Sequence, residues 1–247
     1  MKKWNIAVVA VALVAGMISV AGAEDKVTGD VYAGPSNKYV FRGVDLSGNQ
    51  MVIQGGADLS YKNFTLSVWS NWQSAAKGDY QSSTITETDV TLNYAFTPVE
   101  LLTFNVGNTF YSLNSKNPAI RDTNELYLKT TLNTLLAPTF TTYWDYDESN
   151  GKAGLYFTLG VSHTLEVTKE LGINLGGLVG YNCDNYSAGA GRKNFQNYEL
   201  SLSADYAVTP VIKISPSYLF SNAISATGRA AGLSHENIYG VKAAFNF

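Results

Sequence analysis

From Met51 onward the chain alternates apolar and polar positions. Met51, Ile53, Gly55, Ala57, Leu59 and Tyr61 share one face of an extended segment, and Gln54, Gly56, Asp58 and Ser60 share the other. Period-two alternation marks a strand with one apolar and one polar side. The pattern returns along the chain: Val90, Leu92, Tyr94 and Phe96 oppose Asp89, Thr91 and Asn93, and Tyr198, Leu200, Leu202 and Tyr206 oppose Asn197, Glu199, Ser201 and Asp205. It closes with Tyr239, Val241, Ala243, Phe245 and Phe247 against Gly240, Lys242, Ala244 and Asn246. Strands are predicted near 51–61, 64–71, 85–96, 102–107, 125–132, 140–146, 154–162, 171–180, 197–206, 212–218 and 236–247. Val27 to Arg42, interrupted by Pro35-Ser36-Asn37, reads as one bent or bulged first strand.

That makes about twelve strands, joined alternately by short and long connections. Short turns fall near residues 62, 98, 135, 168 and 209, and longer loops near 46, 77, 117, 149, 188 and 228, the one at 147–151 being little longer than a turn. The Thr97–Glu100 and Thr209-Pro210 connections are read as tight turns, and Asn182 to Asn194 as a long loop. The apolar terminal strand would be an aggregation hazard as a free edge, whereas closure onto the first strand removes the edge. The predicted fold is all-β, an up-and-down antiparallel transmembrane β-barrel with its apolar face toward outer-membrane lipids. Tyr61, Phe64, Tyr94, Phe96, Phe140 and Tyr206 would form one aromatic belt at the short-turn end. Trp72, Phe110, Trp144, Tyr146, Tyr181, Tyr198, Tyr218 and Tyr239 would form a second toward the long loops.

The polar face carries the charges. Arg42, Asp58, Glu87, Asp89, Glu125, Lys129, Asp145, Glu199, Asp205, Lys213 and Lys242 are candidate lumen-lining residues. A Lys or Arg in hydrocarbon would cost about 2–4 kcal/mol near the midplane, a cost a hydrated interior removes. Acids outnumber bases in this set, so a conducting lumen would mildly favour cations. Eight strands give a filled interior and sixteen or more a wide channel. Twelve leaves two readings open: a narrow pathway for small hydrophilic solutes or ions, and a plugged structural or adhesive barrel whose outer loops bind a partner.

The start of the chain adds an address. Lys2 and Lys3, an apolar run from Ile6 to Val20 and Ala21-Gly22-Ala23 match a secretory signal peptide cleaved after Ala23. Residues 24–247 would then form one exported barrel domain of the cell outer membrane. The whole chain has 17 Lys and Arg against 20 Asp and Glu, a net charge of −3, and loss of the leader makes it more acidic. That balance argues against a nucleic-acid partner. Mean hydropathy is near zero, and 16 Tyr and 4 Trp suit a barrel better than an apolar bundle. An exported lipocalin-like barrel, with the faces reversed, is the soluble alternative.

Catalytic chemistry finds little footing. Cys183 is the single cysteine, and His163 and His235 are the two histidines, with no Cys/His cluster at metal-ligand spacing. Ser162 and His163 are neighbours in a strand and so point to opposite faces, which rules out a direct Ser–His pair. No enzyme, cofactor or metal is expected. The free aromatic end, Phe245 and Phe247, resembles the C-terminal signal that outer-membrane barrels present to the barrel-assembly machinery.

One further segment carries a resemblance. Tyr39-Val40-Phe41-Arg42-Gly43-Val44-Asp45-Leu46-Ser47, then Gln54-Gly55-Gly56-Ala57-Asp58-Leu59 and Ser67-Val68-Trp69-Ser70-Asn71, resembles the N-terminal third of TorF-type porins of Gram-negative bacteria. The resemblance implies an outer-membrane β-barrel and brings no catalytic or ligand residues with it. Arg42, charged and close to the bend at Pro35, is a candidate to line a constriction, with a local salt bridge as the plainer reading.

Overall fold

The structure is a computed structural model that describes residues 26–75, 82–118, 120–147, 153–185, 193–230 and 232–247. The expected leader, residues 1–23, lies outside the described residues. Twelve antiparallel strands close into a barrel. In chain order its wall is β1 (Thr28–Ser36), β4 (Val52–Tyr61), β5 (Phe64–Gln73), β6 (Thr84–Val99), β7 (Leu102–Leu113), β8 (Thr123–Leu132), β9 (Thr139–Asp145), β10 (Gly154–Glu166), β11 (Leu171–Cys183), β12 (Lys193–Ala207), β13 (Ile212–Ala223) and β14 (Glu236–Asn246). Two short strands, β2 (Val40–Phe41) and β3 (Val44–Asp45), form a separate hairpin. A single helical turn, α1 (Ala226–Ala230), lies in the last long loop.

Closure is complete to the last residue. β14 pairs with β1, Asp30 opposite Asn246 and Ala33 opposite Ala243. Gly29 and Phe247 then exchange backbone hydrogen bonds of 3.0 and 2.9 Å. The terminal strand therefore has no free edge.

The alternation predicted from sequence sorts the two faces. Leu92, Leu128, Leu159, Leu200, Leu202 and Phe245 are exposed on the outside, each by about half of its surface. Rings gather at both rims. Phe64, Tyr94, Phe96 and Phe104 form a chain with centroids 4.8–5.9 Å apart at the short-turn end. Trp144–Tyr146 and Tyr181–Phe195 pack at 5.6 and 5.2 Å at the other. Polar residues are the buried ones: Gln73, Glu125, Asp145, Asn182, Gln196, Asn197 and Ser221 are at most 1% exposed, all near the long-loop end. The densest packing is thus a hydrogen-bonded polar layer inside the outer third of the barrel.

Three strand boundaries differ from expectation. β1 ends at Ser36, and Tyr39–Arg42 leaves the wall. β6 runs through Thr97 and Pro98 to Val99, with a register shift between Phe96 and Val99. Proline has no N–H to give, so it sits where the ladder is already broken. β11 and β12 extend into the predicted 182–194 loop, where Asn182 pairs with Asn194 and Cys183 with Lys193.

Inward glycines and inward tyrosines prove to be partners. Gly107 on β7 stands opposite Tyr127 on β8, and Gly56 on β4 opposite Tyr32 on β1. A Cβ at Gly107 would overlap the Tyr127 hydroxyl and ring, and one at Gly180 would overlap Tyr156. Each missing side chain lets a ring lie along the wall. Gly107→Ala is therefore expected to cost about 1–3 kcal/mol, as over-packing does. Gly107→Ala with Tyr127→Ala should recover part of the loss, read by urea unfolding of the barrel in lipid vesicles.

Candidate functional site

The feature that sets this barrel's interior apart is the loop between β1 and β4, residues 37–51. It bends into the lumen, and its hairpin ends in a two-residue turn at Arg42-Gly43. Both turn residues have positive φ, 52° at Arg42 and 82° at Gly43. This is the backbone of a tight mirror-image hairpin turn, in which glycine is favoured second. The second position is also crowded, since a Cβ on Gly43 would lie 2.9 Å from the Asn197 Cβ on β12, three strands around the wall from β1. The tip therefore leaves its own stretch of wall.

Its stem is fixed by charge and by turn bonds. Lys38 pairs with Glu236 at 2.6 Å and also donates to Asn49. Asp45 accepts from the Ser47, Gly48 and Asn49 amides at 2.6–2.9 Å, which folds the return limb. Tyr39 packs its ring on Trp69 at 5.3 Å, with the Glu87 carboxylate nearby.

The tip is held by Arg42. Its guanidinium makes a bidentate pair with Glu125 on β8, both bonds 2.8 Å, and the two side chains are 6% and 1% exposed. Tyr111 donates to Glu125 at 2.9 Å, and the Asn185 amide donates to it at 2.9 Å. Asn185 also accepts from Arg42 at 3.2 Å, while Gln196 donates to the Arg42 carbonyl at 2.9 Å. The rings of Phe41, Tyr143 and Tyr156 lie 4.6, 4.7 and 4.4 Å from the guanidinium carbon. A planar, delocalised cation suits such a cage, because it can fork onto a carboxylate and stack on rings at once. β8 lies five strands around the wall from β1, so this ion pair bridges the lumen and is not local.

The other sequence candidates fall at three levels. Glu87 and Asp89 on β6 lie under the loop stem, where Glu87 is opposite Asn71 and Asp89 is opposite Trp69. Asp145, at the end of β9, is opposite Glu125 and accepts from Thr123 at 2.6 Å. Below the loop, Lys129 and Glu199 line one cavity of about 380 Å³ with Thr141, Tyr143, Thr158 and Ser201. Asp205, Lys213 and Lys242 lie nearer the short turns; Lys213 is 3.8 Å from Asp205, and Lys242 lies 4.9 Å from the Tyr32 ring. Asp58 is opposite Asp30 on the neighbouring strand. A second cavity of about 520 Å³ includes Tyr32, Trp69, Asp205 and Lys242, and Leu219 borders both cavities.

Sequence reasoning missed Asp30, Tyr32, Trp69, Asn185 and Gln196. Asp30 and Tyr32 share a face with Gly34, a period-two signal that the Pro35 interruption obscured. Ser162 faces the 380 Å³ cavity, while His163 is exposed, with Nδ1 2.8 Å from the Leu135 carbonyl.

The closed twelve-strand antiparallel wall, apolar outside and polar inside, defines a transmembrane-type β-barrel. The chain belongs to the family described as bacterial protein of unknown function (Gcw_chp), which it matches over residues 21–238. Among solved structures it is similar to the NanC porin, at 14% identity and a TM-score of 0.57, over 89% of this chain and all of that one. The KdgM porin is similar at 13% identity and a TM-score of 0.55, over 89% of this chain and 99% of that one. An outer membrane channel from Pseudomonas putida F1 is similar at 12% identity and a TM-score of 0.54, over 92% and 97%. At these identities the likeness is one of fold. No curated protein matches the chain significantly.

Proposed function

We propose that this protein is an outer-membrane channel for small hydrophilic solutes and ions, of the TorF type, narrowed at its long-loop end by the inward loop. The observation that carries this reading is the interior below the loop. Tyrosines lie along the wall, and Leu219 borders each of two cavities of about 380 and 520 Å³. A barrel built only as a scaffold has no need of such space. The neighbouring folds are porins and channels, which supports the same reading.

The charge balance sets the expected selectivity. Glu125 and Glu236 are matched by Arg42 and Lys38, whereas Asp30, Asp58, Glu87, Asp89 and Glu199 form no ion pair among the described residues. An acid-rich lumen concentrates cations and repels polyanions. This differs from what suits a polyanion such as the disordered oligogalacturonate found with one KdgM porin structure. In a salt gradient across a planar bilayer, the reversal potential should carry the cationic sign, and an anionic sign would defeat this part of the proposal.

A second reading keeps the barrel shut. The buried Arg42–Glu125 pair favours it, because so well satisfied a cage opens rarely. In that case the outer loops would bind a partner, and loop deletion would abolish attachment. In either case Phe245 and Phe247 are proposed as the assembly signal, and Phe247 also closes the barrel against Gly29.

A further inference from the structure

Below the inward loop the lumen holds a charge arrangement that ion passage alone does not require. Among the described residues the other inward bases predicted from sequence have partners: Arg42 has Glu125, Lys213 has Asp205, and Lys242 lies against Tyr32. Among the described residues Lys129 has neither an ion pair nor a hydrogen bond, and it is exposed to the cavity. Four strands around the wall, Glu199 on β12 faces the same cavity. Its Oε1 accepts from Asn197 at 2.9 Å, and its other oxygen has no partner among the described residues. A complementary pair held apart on separate strands of the wall, each with unused bonding capacity, leaves room for a solute of the opposite polarity between them.

The surroundings narrow the class. Thr141, Thr158 and Ser201 put hydroxyls on the wall, while Leu178 and Leu219 project apolar side chains into the same space. The volume, about 380 Å³, lies in the range of small-ligand sites, which run from roughly 300 to 1,000 Å³. We infer that this cavity is a binding subsite for a small zwitterion of the amino-acid type, its carboxylate on Lys129, its ammonium on Glu199 and its aliphatic chain against Leu178 and Leu219. The inference deepens the channel reading and rests on it: the subsite would lie on the solute's path just inside the constriction. It does not conflict with cation preference, because a zwitterion adds no net charge to an acid-rich lumen.

Equilibrium dialysis of refolded protein in detergent micelles tests the site without requiring conduction. Three radiolabelled probes share one aliphatic chain: leucine carries both charges, isocaproate the carboxylate alone and isoamylamine the ammonium alone. Leucine should bind at least about tenfold more tightly than either comparator, a gap of one decade in Kd. Lys129→Met should weaken leucine and isocaproate but spare isoamylamine, and Glu199→Gln should weaken leucine and isoamylamine but spare isocaproate. Heat-modifiable gel migration checks that each variant forms a barrel, and the three-probe comparison on the unmodified protein stands even if a variant does not. Equal binding of the three probes, or leucine binding indifferent to Lys129→Met, overturns the site. Leucine binding by a barrel that carries no current in a bilayer sinks the channel reading and leaves the site. Current without leucine binding sinks the site alone.

Discussion

Replacing Arg42 and Glu125 together by alanine should raise single-channel conductance several-fold while leaving a folded barrel. The loop tip crosses the lumen and is held there by one bidentate pair inside a cage of three rings. Each partner alone is a poor substitution. Removing one member of a buried pair strands the other charge without compensation and costs about 3–5 kcal/mol. Arg42→Ala would leave Glu125, 1% exposed, with Tyr111 and Asn185 as its donors among the described residues. Glu125→Ala would leave a guanidinium among aromatic faces. The double variant removes both charges, so its loss of unfolding free energy should be smaller than the sum of the single losses, a coupling that a double-mutant cycle reads directly. Bilayer recordings read the conductance, and an unchanged value in the double variant would mean that the tip does not limit flow.

Leu200→Lys and Leu178→Lys should differ sharply although both put a lysine near the middle of a strand. Leu200 is 54% exposed on the outer face of β12, where the midplane penalty is about 2–4 kcal/mol. Leu178 on β11 borders the lumen cavity directly opposite Glu199, so a lysine there keeps water and gains an acid. Its expected change is within about 1 kcal/mol. Unfolding in lipid vesicles measures both. Equal losses would mean that the inside and the outside have been assigned wrongly.

The outer face was readable because lipid imposes one rule on every strand. An alternating side chain with period two is legible wherever no proline or glycine intervenes, as along Tyr198–Tyr206. Tyr39–Arg42 was misread for the same reason. An inward hairpin strand alternates just as a wall strand does, and Tyr39 and Phe41 meet Trp69 and Tyr111 where a wall strand would have met lipid. The distinguishing mark was Arg42-Gly43, a tight-turn dipeptide whose positive φ angles end the extended run. That constraint also gives a physical reason for the Tyr-x-Phe-Arg-Gly resemblance noted in the sequence.

The partners of the candidate site were not readable. Which inward residue faces which depends on strand register, and a slip of two residues preserves the alternation while changing every neighbour. Nothing in sequence spacing puts Tyr127 over Gly107, Lys38 on Glu236 or Arg42 on Glu125. The charged residues themselves could be found from the polar face; what each one pairs with came from closure of the barrel.

Vesicle swelling with uncharged solutes of graded size is the most direct test that this barrel is a narrowed channel and not a sealed plug. Refolded protein in liposomes should admit the smallest sugars and polyols and exclude larger oligosaccharides, with deletion of residues 39–47 shifting the cut-off upward. No swelling even with the smallest solute, in vesicles where heat-modifiable migration shows a folded barrel, would contradict the account.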